Sequence, residues 1–292
     1  QGFSEFVKNI EPDLIVVHGD RVEALAGALV GSLNNILVAH IEGGEVSGTI
    51  DELIRHSTSK MSHIHFVSNQ AAKKRLIQMG ELPESIETIG SPDIDIMFSE
   101  NLPNIKTVKD YYEISFQDYS VVLFHPVTTE VSKIQKQAKI LADALVASDR
   151  RYVVIYPNND LGSSAILKTY KRLEGNKNFR LIPSIRFEYF LTLLKNANCM
   201  VGNSSAGIRE APYYGIPTIN IGTRQKNRAL HSHIINVNYD VDTILEALES
   251  SMEEIPVVEQ YYGDGKSAER FLKILQDEKI WQLNHQKQFC DV

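Results

Sequence analysis

The sequence predicts an α/β protein built from two doubly wound domains that face each other across a cleft. Short apolar runs rich in β-branched residues alternate with helix-like segments from residue 13 onwards, which is the pattern of parallel strands buried on both faces. The alternation weakens between residues 98 and 118 and starts again at residue 120. We therefore expect one domain on each side of this stretch, and 292 residues are enough for both.

The first half of the chain contains four predicted strands, at residues 13–18, 36–41, 64–67 and 86–89. Helices are expected between them, and one of these should begin after Asn69 as its N-cap and end at Gly80. A helix-like segment precedes the first strand, and the chain begins at Gln1 without a methionine. We expect from this that the chain is entered partway through and that the first domain lacks its first strands.

The second half contains predicted strands at residues 120–124, 152–156, 180–182, 199–201, 217–221 and 234–237. Two helices are expected after the last strand, near residues 241–251 and 266–290. The expected domains are therefore 1–104 and 105–265, with the helices of 266–292 packing back on the first domain.

Composition narrows the class of protein. With 43% hydrophobic and 23% charged residues, the chain reads as a soluble globular protein. No apolar run reaches the roughly 18 residues of a membrane span, and the first residues lack the regions of a signal peptide, so we expect a cytoplasmic protein with no membrane partner. The net charge of -7 argues against general binding of nucleic acid. Cys199 and Cys290 are too few for a disulfide framework or a cysteine-rich metal site.

Three acidic residues, Asp20, Glu42 and Asp51, follow the ends of predicted strands in the first half. Loops at the carboxyl ends of neighbouring parallel strands converge, so these carboxylates can line one pocket. Grouped carboxylates raise one another's pKa, which suits paired acid and base work on a sugar carbon. The alternative for each is structural: Asp20 would cap the following helix, and Asp51 would pair with Arg55 one turn later.

We expect the histidines of the first half to form hydrogen bonds rather than to bind a metal. None of His18, His40, His56, His63 and His65 belongs to an HExxH arrangement, so we expect no metal. His125 is different, because it stands at a strand end before Pro126. There it could bind a diphosphate or transfer a proton.

An anion site is predicted in the second half, where GNSSAGIRE (202–210) places hydroxyl residues at a helix start. Free amides and the positive end of the helix dipole attract anions there, and Ser204 and Ser205 add donors. A plain helix cap is the alternative. Glu210, further along the same helix, could accept two ribose hydroxyls, and Arg224 and Arg228 could bind phosphate. Anion donors in one half and acids in the other favour a nucleotide sugar as ligand.

A family resemblance rests on the motifs HGDR, HIEGGEVSGTIDELIRH, FHPVTTE, YPNND, GNSSAGIREAPYYGIPTINIGTRQ and YGDG. Together they resemble the hydrolysing UDP-N-acetylglucosamine 2-epimerases, which include bacterial enzymes of sialic and legionaminic acid synthesis and the epimerase half of a bifunctional animal enzyme. The likeness runs from Pro12 to Cys290. It implies a glycosyltransferase-B-like fold of two Rossmann-like domains, the second of which binds UDP, and a homodimer or homotetramer.

The resemblance also implies a reaction. UDP-N-acetylglucosamine, or its 2,4-diacetamido-trideoxy relative, would react with water to give UDP and the free 2-epimeric sugar. The family eliminates UDP to form a glycal and then adds water with inversion at C2. By resemblance, Asp20, Glu42 and Asp51 would between them act as acid and base at C2 and activate water at C1, with the individual roles left open. His125 would assist the departing diphosphate.

The family's binding residues carry over to the nucleotide half and to the HGDR motif. Residues implied to hold the diphosphate, ribose or base are Arg21, Asn158, Ser204, Ser205, Glu210 and Arg224. No cofactor or metal is expected, because cationic side chains and helix amides can stabilise the leaving diphosphate.

Three other functions stay open at this point. A non-hydrolysing 2-epimerase shares the fold and the carboxylates, but GGEVSGTIDE has the shorter spacing of the hydrolysing type. A glycosyltransferase of similar architecture would need an acceptor. A non-catalytic nucleotide-sugar binding module would bind UDP without turnover, and the expected loss of the first strands favours it.

Overall fold

The computed structural model describes residues 2–47, 50–225, 234–251 and 260–291. The chain divides into two compact units, Gln1–Phe98 with Tyr261–Val292, and Ser99–Gln260. The chain thus changes unit at Phe98 and returns at Tyr261, each a few residues before the positions expected from the sequence. Both units carry a parallel sheet flanked by helices, as the sequence predicts.

The described residues of the first unit form one sheet of four parallel strands in the order β1-β2-β3-β4. The strands are β1 (Leu14–His18), β2 (Leu37–Ile41), β3 (Ile64–Val67) and β4 (Ile86–Thr88). β1, β2 and β3 are mainly apolar, whereas β4 has only three residues, and β2 and β3 are almost fully buried. The carboxyl ends of β1 and β2 lie side by side, because His18 is paired with Ile41.

Five helices alternate with these strands in the described parts of 2–47 and 50–97. They are α1 (Gly2–Ile10), α2 (Val22–Leu33), α3 (Ile50–Met61), α4 (Gln70–Gln78) and α5 (Pro92–Met97). The predicted cap of α4 is confirmed, since the Asn69 side chain accepts a hydrogen bond from the Ala72 amide at 2.8 Å. Gly80 follows the end of α4 with a φ of 81°, a left-handed conformation that glycine adopts without strain.

The described residues of the second unit form a sheet of six parallel strands in the order β10-β9-β8-β5-β6-β7. The strands are β5 (Ser120–Leu123), β6 (Tyr152–Ile155), β7 (Phe179–Ile182), β8 (Met200–Gly202), β9 (Thr218–Ile221) and β10 (Ile234–Val237). The strand order reverses between β5 and β8. In an open parallel sheet, ligands bind in the crevice at such a reversal.

The helices of the second unit are α6 (Ile105–Tyr111), α7 (Ile134–Ala147), α8 (Ser163–Tyr170), α9 (Phe187–Lys195), α10 (Ala206–Arg209) and α11 (Val241–Ser250). Helix α6 lies where the sequence pattern predicts no element. The helix is short and buries only Val108, so its sequence shows little hydrophobic periodicity. Its start is stabilised by Asn104, whose side chain accepts the Thr107 amide at 2.9 Å. The predicted helix through Glu210 is wrong: α10 ends at Arg209, and a 3-10 turn with Pro212 follows.

The C-terminal helix is shorter than predicted. Helix α12 (Ser267–Leu275) ends well before residue 290 and is followed by a 3-10 turn, Glu278–Gln282, and irregular chain. Tertiary contacts hold this irregular segment in place of helical hydrogen bonds. The Lys287 ammonium donates to the carbonyls of Ser59 at 2.9 Å and Ser62 at 2.6 Å, at the carboxyl end of α3. It also contacts the buried Glu81 carboxylate at 2.5 Å. Among the described residues, no helix combines the length and apolarity needed to cross a membrane.

Candidate active site

Asp20 lies directly after β1, and the Arg55 side chain of α3 reaches it. The Arg55 guanidinium donates to Oδ2 of Asp20 and, through its other terminal nitrogen, to the Glu45 carbonyl at 3.1 Å. The N-cap of α2 is Arg21, whose side chain makes no capping bond, so Asp20 does not occupy the capping position. The contact therefore joins the loop after β1 to α3, although Asp20 and Arg55 are far apart in sequence.

Glu42 is the first residue after β2 and has a φ of 66°. A left-handed conformation costs a non-glycine residue of order 1–3 kcal/mol, so the surroundings must hold it there. The Glu42 amide donates to the Phe66 carbonyl at 2.8 Å. Oε1 of its carboxylate accepts the Ser91 hydroxyl at 2.5 Å, and Oε2 lies 3.3 Å from Nε2 of His18. The carboxylate is only 8% exposed, and its orientation is set from two sides.

Asp51 lies in the first turn of α3, one turn before Arg55, and is half-buried. An acid in this position is stabilised by the positive end of the helix dipole. The neighbouring Glu52 has a structural role, because its Oε2 accepts the Ser47 amide at 2.5 Å. Arg21 is exposed at the start of α2.

His40, which the sequence analysis did not single out beyond a possible metal role, connects the parts of this acid cluster. It is fully buried in β2, with Nε2 2.8 Å from the Gly19 carbonyl and Nδ1 2.9 Å from the Ser59 hydroxyl. Burial lowers the pKa of His40 to about 3, although the hydrogen bond to Gly19 opposes this shift. The neutral ring therefore donates from Nε2 to Gly19 and accepts at Nδ1 from Ser59. The two hydrogen bonds of His40 therefore fix Gly19, the residue before Asp20, relative to Ser59 of α3.

The other buried histidines of this unit also have hydrogen-bonding roles. Nδ1 of His63 accepts the Val38 amide at 3.1 Å, and Nε2 of His65 lies 3.0 Å from the Glu81 carboxylate. Burial lowers the pKa of both rings. Over the described parts of the chain, no three His, Cys, Asp or Glu side chains are grouped so that they could hold a metal ion.

His125 lies just after β5, at the edge of the strand reversal in the second unit. Its Nδ1 accepts the Asn158 amide at 3.2 Å. Burial, and next the positive charge of Arg224, lower the pKa of His125 to about 4. At neutral pH the ring is therefore uncharged with its proton on Nε2, where it can donate to an oxygen of a ligand. The Asn158 side chain donates to the Asp160 carboxylate at 2.5 Å.

Asn203 was missed by the sequence analysis and bridges the strand reversal. It follows β8, is fully buried, and accepts the His125 amide at Oδ1 over 2.7 Å. Its Nδ2 donates to the His125 carbonyl at 2.9 Å. The Asn203 carbonyl in turn accepts hydrogen bonds from Arg224 at 3.3 Å and Gln225 at 2.8 Å. The Asn203 side chain thus ties together the ends of β5 and β8, and its backbone carbonyl holds the GTRQ loop. The signal available in the sequence was an asparagine two residues after the predicted strand at 199–201.

The serines of the predicted anion site lie beside Asn203. Ser204 is buried, and its Oγ accepts the Ala206 amide at 3.3 Å. Ser205 is the N-cap of α10 without a capping side-chain bond, and Glu210 is buried directly after that helix. With four residues, α10 has a smaller dipole than the longer helix we predicted. Anion binding here would depend on individual N–H and O–H donors. Arg228 lies outside the described residues.

Comparison with known proteins decides the family. The family model described as UDP-N-acetylglucosamine 2-epimerase matches residues 1–276. The chain belongs to the UDP-N-acetylglucosamine 2-epimerase family.

The relatives of this chain fall into two groups, according to whether their names include the word "hydrolyzing". The protein named UDP-N-acetylglucosamine 2-epimerase from Neisseria meningitidis serogroup B is 47% identical over 99% of this chain and 78% of its own length. The protein named UDP-N,N'-diacetylbacillosamine 2-epimerase (hydrolyzing) from Legionella pneumophila is 34% identical over 94% of this chain and 73% of its own. A GDP/UDP-N,N'-diacetylbacillosamine 2-epimerase (hydrolyzing) from Campylobacter jejuni is 37% identical over 85% and 66%.

Solved structures show the same fold. The Methanocaldococcus jannaschii UDP-GlcNAc 2-epimerase, crystallised with UDP-GlcNAc and UDP, aligns with a TM-score of 0.80 at 24% identity over 94% of this chain and 78% of its own. A Neisseria meningitidis UDP-GlcNAc 2-epimerase bound to UDP-GlcNAc aligns with a TM-score of 0.79 at 20% identity, over 94% and 79%. These similarities confirm the glycosyltransferase-B-like fold that was predicted for this chain.

Proposed function

We propose that this chain is a hydrolysing 2-epimerase. It converts UDP-N-acetylglucosamine, or a UDP-2,4-diacetamido-trideoxyglucose, plus water into UDP and the free 2-epimeric sugar. In the first step the C1–oxygen bond breaks with both electrons leaving on UDP, the C2 proton is removed, and a C1=C2 double bond forms. In the second step water adds its hydroxyl to C1 and a proton enters C2 on the opposite face. The two steps together balance with one water consumed.

The observation that carries this proposal is the grouping of Asp20 and Glu42 at adjoining strand ends, with α3 and its Asp51 joined to them through Arg55 and His40. The reaction needs a base and an acid at C2 and a group that activates water at C1. Three carboxylates in different surroundings are available for these roles, since Glu42 is buried and hydrogen-bonded while Asp20 is ion-paired. We assign these three residues to those three roles jointly.

The second unit is proposed to hold the nucleotide. The neutral His125 donates from Nε2 to the departing diphosphate, and Arg224 beside it supplies positive charge. Ser204 and Ser205 are proposed to donate to the diphosphate, and Glu210 to accept the ribose hydroxyls. Asn158 is proposed to contact the nucleotide, and Arg21, which belongs to the first unit, is proposed to bind a phosphate.

The hydrolysing reaction is favoured by the short GGEVSGTIDE spacing and by the two relatives whose names carry "hydrolyzing". The names of those relatives also favour the diacetamido sugar as a substrate. A non-hydrolysing 2-epimerase is the second candidate, because the relative at 47% identity is named without that qualifier.

Product analysis in D2O separates the candidates. Each UDP-sugar is incubated alone, and phosphorus and proton spectra are followed over time. We expect free UDP to appear together with a 2-epimeric sugar that carries deuterium at C2. Accumulation of the UDP-linked epimer without free UDP would show the non-hydrolysing reaction instead. Turnover only after an acceptor is added would indicate a glycosyltransferase, and UDP binding without turnover a non-catalytic module.

A further inference from the structure

Ser91 stands at the capping position of α5, but its side chain does not cap the helix. It is the N-cap of α5, directly before Pro92, and is 1% exposed. A serine there normally accepts a hydrogen bond from an amide of the first turn. The Ser91 side chain makes no such bond, and its hydroxyl donates to Oε1 of Glu42 at 2.5 Å. The hydroxyl is therefore directed at a carboxylate 49 residues earlier in the chain.

The two oxygens of Glu42 have different partners. Oε1 accepts the neutral hydroxyl of Ser91 from the loop after β4, while Oε2 faces the titratable ring of His18 at the end of β1. The backbone of Glu42 has a left-handed φ and donates to the Phe66 carbonyl, and these two side-chain contacts help to place its carboxylate. Of the two, the Ser91 contact is the shorter one and comes from the more buried residue.

Ser91 is itself rigidly placed. Its amide donates to the Tyr262 carbonyl at 2.7 Å, which ties the loop to the YGDG motif near the C-terminus. The preceding Gly90 has a φ of 93° and packs against Gly263, and Arg270 of α12 donates to the Ile89 carbonyl at 3.1 Å. The donor is thus fixed by segments on both sides before any substrate binds.

We infer that Ser91 is a positioning residue for Glu42, whose carboxylate it orients and keeps ionised through the donated hydroxyl. This inference rests on the proposed function, in which Glu42 is one of the acid–base groups. A hydrogen bond to the charged form of an acid favours that form, so loss of the hydroxyl makes the carboxylate harder to ionise. A carboxylate that turns freely is also misplaced for proton transfer at C2.

The test compares three substitutions in the full chain. Ser91→Ala removes the hydroxyl, Ser91→Thr keeps it, and Ser85→Ala is the matched control, because Ser85 is also buried but donates to the Leu82 carbonyl at 2.8 Å. We expect Ser91→Ala to lower kcat roughly 10- to 100-fold, the scale of a lost hydrogen bond to a charged group, with little change in KM. The limb of the pH profile that reports Glu42 should move to higher pH. Ser91→Thr should restore most of kcat, and Ser85→Ala should leave it unchanged.

A second measurement does not need turnover. The carboxyl carbon of Glu42 is followed in protein labelled with ¹³C-glutamate, and Glu42→Gln identifies its signal. We expect its titration midpoint to be higher in Ser91→Ala than in the parent protein. If Ser91→Ala does not fold, Ser91→Cys, which retains a weak donor of similar size, should give an intermediate midpoint and kcat.

The outcomes are distinct. Unchanged kcat and midpoint in Ser91→Ala would overturn the inference, and so would a lower kcat with an unmoved midpoint, because that result indicates a structural role alone. If the parent protein converts neither sugar, the proposed function fails, while the midpoint comparison still decides whether Ser91 controls Glu42.

Discussion

Glu42 and Asp51, two of the four acids of the HIEGGEVSGTIDE motif, have different surroundings. Glu42 is buried and held by Ser91 and His18, whereas Asp51 is half-buried in the first turn of α3. In the proposed mechanism both exchange protons with the sugar or with water, and neither touches the nucleotide. Their removal should therefore affect the chemical step rather than the binding of UDP.

We predict that Glu42→Gln and Asp51→Asn each lower turnover by roughly 100-fold or more while UDP affinity stays within a few-fold, as is typical for acid and base catalysis. Glu23→Gln is the matched control, because Glu23 lies in the first turn of α2 as Asp51 lies in that of α3, but is exposed. Turnover is measured as UDP release and affinity by calorimetry. Unchanged turnover in both variants would remove these residues from the mechanism.

At the scale of elements, the C-terminal segment supports the loop that carries Ser91. The YGDG motif meets this loop through the Tyr262 carbonyl and through the close approach of Gly263 to Gly90. Arg270 pairs with Asp264 at 2.7 and 2.8 Å and also reaches the Ile89 carbonyl. A motif near the end of the sequence is thereby linked to an acid in its first fifth.

Gly263→Ala tests this link. A Cβ at Gly263 would come within 2.8 Å of the Gly90 Cα, a backbone atom that cannot turn away. The control is Gly175→Ala, since Gly175 also has a positive φ, 77°, but a Cβ there would meet nothing within 4 Å. Both variants should lose about 1–2 kcal/mol from the left-handed backbone. Only Gly263→Ala should lose more stability and also lower kcat, measured by thermal unfolding and UDP release. Equal effects of the two substitutions on kcat would contradict the link.

For the whole molecule, each unit contains a neutral histidine beside its proposed functional groups, fully buried for His40 and half-buried for His125. Burial lowers the pKa of His40 to about 3 in the first unit and, together with Arg224, that of His125 to about 4 in the second. The unfolded chain binds a proton at each of these rings near pH 6.5. Protonation at lower pH therefore favours the unfolded state, and the stability that each ring contributes is present above pH 6.5 and is lost as the pH falls toward the folded pKa.

We predict that the free energy of unfolding of the first unit falls as the pH is lowered from about 6.5 toward 4, by up to about 1.4 kcal/mol per pH unit from His40. Trp281 is the chain's single tryptophan and belongs to this unit, so its fluorescence during urea unfolding reports the unit by itself. His40→Gln keeps a donor for the Gly19 carbonyl but does not titrate. It should be less stable at pH 7.5 and show a shallower pH dependence. A slope equal to that of the parent protein would contradict the role of His40.

The strands were predictable because their apolar runs are local signals. The run at residues 120–124, for example, became β5 (Ser120–Leu123), and the cap at Asn69 was confirmed. Helix α6 and the early end of α12 were not predictable in this way. Helix α6 buries a single residue, and the chain after α12 is held by Lys287 rather than by its own periodicity.

By itself, the sequence determined the α/β class, the family motifs, and the placement of Asp20, Glu42 and His125 at strand ends. All of these depend on short-range patterns: period, strand length and the residues that follow each strand. The tertiary structure alone decided that Arg55 binds Asp20 and that His40 joins Gly19 to Ser59. It also decided that Asn203 bridges to His125 and that Ser91 donates to Glu42. The physical reason is that a buried polar group must find a partner wherever the fold brings one, here 78 residues away for Asn203 and 49 for Ser91, and no local pattern records that choice.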